Sequence, residues 1–204
     1  MPIFLPPEDL KDTISALQEK NIPVFSRERT ARKLKNIKGI RFASADVQPR
    51  KIFARIFPGS DLIPAISAIC EKHEINAGAI TAMLGSLSQV CFVWPIPDSE
   101  KKAGLKYGPP KTLEGPIELI TGSGTIGRMA DSGELAVHLH AAFCDLTSRM
   151  WGGHLVGEGN PVAVTVEIAI EVYDGLTLSR ALDDETDMPL FNLDGQPVEE
   201  RKEN

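Results

Sequence analysis

Val162-Ala-Val-Thr-Val-Glu-Ile-Ala-Ile-Glu-Val-Tyr173 decides the fold class. Val162, Val164, Val166, Ile168, Ile170 and Val172 alternate with other residues, and Thr165, Glu167 and Glu171 share the opposite side. Side chains leave a pleated strand on alternate sides, so this period of two predicts a strand with one buried face. A second strand, 176–182, follows across a turn at Asp174-Gly175. Upstream, residues 135–144 alternate in the same way. Val137, Leu139, Ala141 and Phe143 lie on one side, with His138, His140, Ala142 and Cys144 on the other.

Working outward, further strands are expected at 51–57, 79–84, 87–94 and 117–126, the middle two flanking Gly85-Ser86. Pro58-Gly59-Ser60-Asp61 breaks the first. Ser60 or Asp61 offers a side-chain oxygen to cap a helix, and Pro64 is tolerated in a first turn. Ile63, Ile66, Ile69, Cys70 and His73 form one helical face, with an end expected near Asn76-Ala77-Gly78. Residues 95–115 hold four prolines and read as a long exposed loop. Many strands with one main helix give an α+β class, a mostly antiparallel sheet packed with that helix. A separate helix at 8–20 follows from Leu10, Ile14 and Leu17, behind Pro6-Pro7 and Glu8-Asp9.

The 204 residues are 42% apolar and 25% charged, which excludes collagen-like, low-complexity and wholly disordered chains. No apolar run approaches the roughly 18 residues of a membrane span, and the N-terminus lacks the pattern of a secretion signal. Cys70, Cys91 and Cys144 are odd in number and widely spaced, which argues against a disulfide framework and for reduced thiols in the cytoplasm. Charge is uneven. Residues 1–55 carry 12 basic and 6 acidic side chains, while the remaining residues carry 10 and 22. The basic excess centres on 27–38, from Arg27 to Lys38, and the tail beyond Asp183 is acidic, its last residues expected to fray. Such a basic run can contact DNA phosphates. The acidic remainder and the lack of an Arg-Gly-Arg-Pro hook weigh against DNA as a partner.

Gly122-Ser-Gly124-Thr-Ile-Gly127 spells a dinucleotide fingerprint after a strand, but no helix opens behind it to meet a pyrophosphate. These glycines instead fit a bulge or a close backbone approach. No Gly-x-Ser-x-Gly elbow occurs, Ser86 has no local base, and Cys144 lies roughly 13 Å from His140 along its strand. The histidines carry the chemistry. His138 and His140, two residues apart on a strand, point the same way. His154 follows Gly152-Gly153, read as a turn able to bring a third ring back. Three neutral imidazoles suit zinc or a similar divalent metal and leave one coordination position open. The bland alternative is an exposed or hydrogen-bonded histidine pair. Glu167 is a candidate catalytic base or hydrogen-bond acceptor for that centre, against a plain surface carboxylate.

Phe53-Ala-Arg-Ile-Phe-Pro-Gly-Ser-Asp-Leu62 resembles the opening strand and helix cap of the PPC domain, shared by plants and prokaryotes. Leu84-Gly-Ser-Leu-Ser-Gln-Val90 and the segment 115–126, ending in Ser-Gly-Thr-Ile, are similar to its next signatures. His138-Leu-His140, Gly152-Gly-His154, Thr165-Val-Glu167 and Ser179-Arg180 follow in the family's order. The resemblance spans 50–193. It leaves 1–49 as an N-terminal extension and 194–204 as an acidic C-terminal tail. It implies a compact α/β sandwich, homotrimer formation, and a metal held by His138, His140 and His154. Plant members follow an AT-hook and serve nuclear regulation, whereas stand-alone prokaryotic members have been given DNA-binding or metal-binding roles. This chain lacks the hook and carries the extension besides. Two functions from different classes are therefore expected. One is a trimeric regulatory or interaction module organised by the histidines. The alternative is a small metal-dependent hydrolase or lyase in which Glu167 moves the proton.

Overall fold

The computed structural model describes residues 40–201, so the helix expected at 8–20 and the basic segment 27–38 lie outside the described residues. In chain order the elements are β1 (Ile40–Phe42), β2 (Arg50–Ile56), α1 (Leu62–Lys72), β3 (Gly78–Val93), β4 (Pro95–Pro97) and β5 (Leu105–Tyr107). Then come β6 (Lys111–Met129), β7 (Leu135–Cys144), β8 (Met150–Leu155), β9 (Val162–Val172), β10 (Leu178–Leu182), β11 (Pro189–Leu193) and β12 (Glu199–Arg201).

Eight strands form one sheet in the order β11-β10-β6-β7-β8-β3-β9-β2, antiparallel throughout except where β10 lies parallel to the end of β6. β3 also pairs with β6. The four strands β3, β6, β7 and β8 thus close on one another as a ring. The expected class holds in its coarse form: a mostly antiparallel sheet with one short helix. Among the described residues no helix is long and apolar enough to cross a membrane.

Alternation places the core. On β9, Val162, Val166, Ile168, Ile170 and Val172 are buried as expected. They meet Leu62, Ile66 and Cys70 from α1 in one apolar cluster. Val164 is a correction: it is 65% exposed. Val164 lies between Val166 and Val162, where the pairing with β3 slips in register from Gly85 to Leu87.

Four further expectations change. The two strands expected around Gly85-Ser86 are one strand, β3, whose register slips between Gly85 and Leu87 instead of breaking. The loop expected at 95–115 contains the β4–β5 hairpin and the start of β6. Its prolines Pro95 and Pro97 sit in a two-stranded sheet, where a missing N–H costs no ladder bond on the outer side. Asp61 occupies the N-cap of α1 without capping it; its Oδ2 instead accepts from the N–H groups of Gly159 (2.7 Å) and Asn160 (3.2 Å). The helix ends at Lys72, earlier than expected. Glu74 takes a left-handed φ of 55°, its N–H donates to Glu71 O (3.2 Å), and Ile75 N–H donates to Cys70 O (2.9 Å). That pair of bonds is a Schellman closure, which satisfies carbonyls the helix end would leave orphaned. At the chain ends, β1 pairs antiparallel with β12, so part of the expected extension meets part of the acidic tail.

Candidate metal centre

The pleat of β7 sends His138 and His140 out of the same side of the sheet, away from Leu139, which is fully buried. β8 supplies the third ring by pairing His154 directly with His140. Gly152 and Gly153 are therefore inside a strand, a correction to the turn expected there. The glycine at 153 is needed because β8 is squeezed between β7 and β3. A Cβ there would lie 2.6 Å from Val93 O and 2.8 Å from a Phe92 ring carbon.

The three imidazoles converge. Ring centroids are 4.8 Å apart for His138–His140, 4.7 Å for His138–His154 and 5.4 Å for His140–His154. The Nε2 atoms of His138 and His140 are 3.0 Å apart. One nitrogen from each ring lies within 4.8 Å of the others. Tetrahedral zinc with bonds near 2.0–2.1 Å separates its ligand nitrogens by about 3.3 Å. The closest pair already comes within that separation, and a pair at the 4.8 Å limit needs about 1.5 Å of closure. Burial pushes the pKa of both His138 and His154 down to about 4, with neighbouring imidazoles and the Arg180 cation adding to the effect. Both rings are consequently neutral at pH 7, the form that donates a lone pair to a metal. Donor type, protonation and spacing all fit a divalent ion.

Residues from two hairpins flank the cluster. From β5, the Tyr107 hydroxyl lies 3.3 Å from His154 Nδ1, with ring centroids 4.9 Å apart. That contact occupies Nδ1 and leaves His154 Nε2 for an ion. With Nε2 so used, Nδ1–H donates to the Tyr107 oxygen. From β11, Phe191 stacks on His138 at 6.5 Å. The hairpin passes so close over β6 that a Cβ on Gly127 would meet Leu178 O and the Phe191 ring. This is the close approach expected of the Gly122–Gly127 run, and β6 continues through it as strand with no helix. The tips of the two hairpins are bonded together. Ala103 N–H donates to Thr186 O (3.1 Å), Lys102 N–H to Asp187 Oδ2 (3.0 Å), and Lys102 Nζ to Asp184 O (2.6 Å). The 98–104 and 183–188 loops thus join as a strap between the hairpins that flank the histidines.

Glu167 is placed elsewhere. It sits on β9 opposite Arg55 and Leu84. Its strand, β9, pairs with β2 and β3 and with neither histidine-bearing strand, and the donor group consists of the three histidines alone. Sequence reasoning missed Tyr107 and Phe191 altogether and quoted Arg180 without a role. Tyr107 lay in a stretch read as loop, and Phe191 in a segment with no chemical signature.

A match to the Plants and Prokaryotes Conserved (PCC) domain covers residues 43–174. The chain belongs to that family. Solved PPC-fold structures resemble it. A metal-containing protein from Archaeoglobus fulgidus is 21% identical with a TM-score of 0.62, covering 74% of this chain and 98% of its own. A plant- and prokaryote-conserved protein from Pyrococcus horikoshii is 23% identical at 0.59, covering 76% and 96%. A proposed DNA-binding protein from Bacteroides thetaiotaomicron is 20% identical at 0.60, covering 74% and 97%. Among curated relatives, the bifunctional protein GlmU of a Synechococcus strain is 28% identical over 144 residues. The chain spans about one fifth of that relative's length, 20%. All three histidines lie inside the PPC match, whereas β10 and β11, with Arg180 and Phe191, lie beyond it.

Proposed function

We propose that this PPC-domain chain is a homotrimeric regulatory or interaction module whose His138, His140 and His154 hold a divalent metal ion, zinc by donor chemistry. The carrying observation is the convergence of three imidazoles from two adjacent strands. The metal-containing relative of the same fold supports it. In this role the ion ties β7 to β8 and contributes folding energy, since a site absent from the unfolded chain stabilises only the native state. The free thiols Cys70, Cys91 and Cys144 support a reducing compartment, the cytoplasm. Residues 50–193 form the working unit, with 1–49 and 194–204 as extension and tail.

Trimer formation is supported by an apolar band on the sheet face opposite α1. Phe53 of β2 is 72% exposed, Leu84 of β3 53% and Ile120 of β6 48%. The register places them on one face of the sheet, with β9 lying between β2 and β3, and large apolar side chains exposed on one face mark interfaces. DNA contact falls to the basic segment 27–38, in line with the DNA-binding proposal for the Bacteroides relative. Retardation of duplex DNA that fades with rising salt is its expected signature; no shift at about 50 mM salt removes it.

The metal is tested by elemental analysis of protein purified without a histidine tag. About one ion per folded chain is expected, lost in His138→Ala and His154→Ala. Unchanged metal content in both variants overturns the reading. The hydrolase or lyase alternative retains the open coordination position, where bound water would ionise near neutrality. Within one chain, however, Glu167 stands on a strand that pairs with neither histidine-bearing strand and lies outside the donor group, so no observation favours it.

A further inference from the structure

The Arg180 side chain is the one charged group beside the histidines that nothing yet explains. Other arginines in the sheet are partnered. Arg50 reaches Asp174 at 3.2 Å, Arg55 Nε donates to Thr165 at 3.0 Å, and Arg128 bonds Asn76 at 2.8 Å. Arg180 Nε is buried and has no hydrogen-bond partner, and among the described residues no carboxylate is recorded in an ion pair with it. Nε–H, one of the guanidinium's five donors, is thus shielded from water without an acceptor, which carries a standing cost.

Its position is specific. Arg180 on β10 pairs with Phe191 on β11. The guanidinium carbon lies 5.7 Å from the Phe191 ring, and that ring stacks on His138 at 6.5 Å. The cation and the imidazoles are thus held around one shared ring. The side chains lining the depression that opens on His138 and His140 include no acid. They are Ala79, Ile80, Ser123 and Thr125 with the two histidines and Gly124, around a volume of about 390 Å³. Adding a divalent ion would set a second positive centre beside Arg180, still without a protein anion to balance either.

We infer that Arg180 and the histidine centre together receive an oxyanion: a carboxylate or phosphate group on a small molecule. The guanidinium binds the anion's oxygens, and the centre offers its open position to the same group. Arginine's forked donors match carboxylate and phosphate oxygens in a way a lysine does not. The Ser123 and Thr125 hydroxyls in the neighbouring depression supply further donors to the molecule that carries the anion. This deepens the proposed metal reading and rests on it for the ion alone; the role of Arg180 stands on its own geometry.

Full-length, tag-free protein, zinc-loaded and zinc-stripped, is titrated calorimetrically with acetate in one arm and inorganic phosphate in the other. Binding of at least one probe is expected, with affinity falling roughly tenfold or more in Arg180→Met, the loss of a charge-assisted hydrogen bond. Zinc content should be unchanged. Arg180→Lys keeps the charge without the fork and is expected to fall between the two; it serves as the reading if Arg180→Met does not fold. Preference for acetate marks a carboxylate ligand, and preference for phosphate a phosphorylated one. Equal affinity in wild type and the Arg180 variants, or no binding of either anion, overturns the inference. A chain that takes up no zinc overturns the metal reading alone. Arg180-dependent anion binding by the stripped protein then still supports the inference, and its absence overturns that too.

Discussion

Tyr107 shows how one residue outside the ligand set tunes the centre. Its hydroxyl, 3.3 Å from His154 Nδ1, leaves Nε2 as the ring nitrogen that would face an ion. Tyr107→Phe keeps the ring and removes that partner, so zinc affinity measured by chelator competition should weaken about tenfold, at the lower end for an outer-shell partner. His138 and His154 also make metal-free stability depend on pH. Their folded-state pKa of about 4 lies below the ordinary 6.5, so the unfolded chain binds more protons between those values. Stability is then lost as pH falls from 6.5 toward 4 and is unaffected by these rings above 6.5. Thermal melts of stripped protein across that window should show the decline, and His138→Gln with His154→Gln should flatten it. The pairing of His138 with His140 was legible at this scale, because the pleat alone decides that residues two apart share a side. Arg180 was not: its meaning comes from an absent partner, which no spacing reveals.

At the scale of elements, two backbone positions are tight in opposite senses. Glu74 holds a left-handed φ of 55° in the Schellman closure of α1, where glycine is unstrained. Glu74→Gly should stabilise the protein by about 1 kcal/mol, read as a rise in melting temperature of about 2–4 °C for a chain of this size. Gly153 has no room. Gly153→Ala sets a methyl 2.6 Å from the Val93 carbonyl, so the strands must part. A loss of about 1–3 kcal/mol is expected, together with reduced zinc content because His154 is the next residue. Strands 135–144 and 162–172 were readable from alternation, which depends only on neighbouring residues. The Gly152-Gly153 pair was misread as a turn because glycine marks both a turn and a crowded strand, and only the packing of β8 against β3 separates them. The 95–115 stretch was misread similarly. Its prolines signalled loop, yet the short β4–β5 hairpin needs no ladder bond from them.

For the whole molecule, the exposed band of Phe53, Leu84 and Ile120 is the feature that a single copy leaves unexplained. Phe53→Asp combined with Leu84→Asp places charges across that band without touching α1 or the histidines. Sedimentation should show a trimer for wild type and a monomer for the variant, with zinc content retained; a wild-type monomer at micromolar concentration would sink the assembly proposal. The amino-acid order by itself determined the periodic elements, the helix start after Pro58-Gly59, the shared direction of His138 and His140, and the family. Each follows from backbone sterics acting over a few residues or from a motif read in order. Tertiary structure alone decided the rest. It closed β3, β6, β7 and β8 into a ring and brought His154 opposite His140. It also carried Tyr107 and Phe191 to the cluster from hairpins on either side, and left Glu167 on a strand that pairs with neither histidine-bearing strand. Strand pairing is chosen by burial of the apolar face across the whole sheet, a long-range balance that no local stretch encodes.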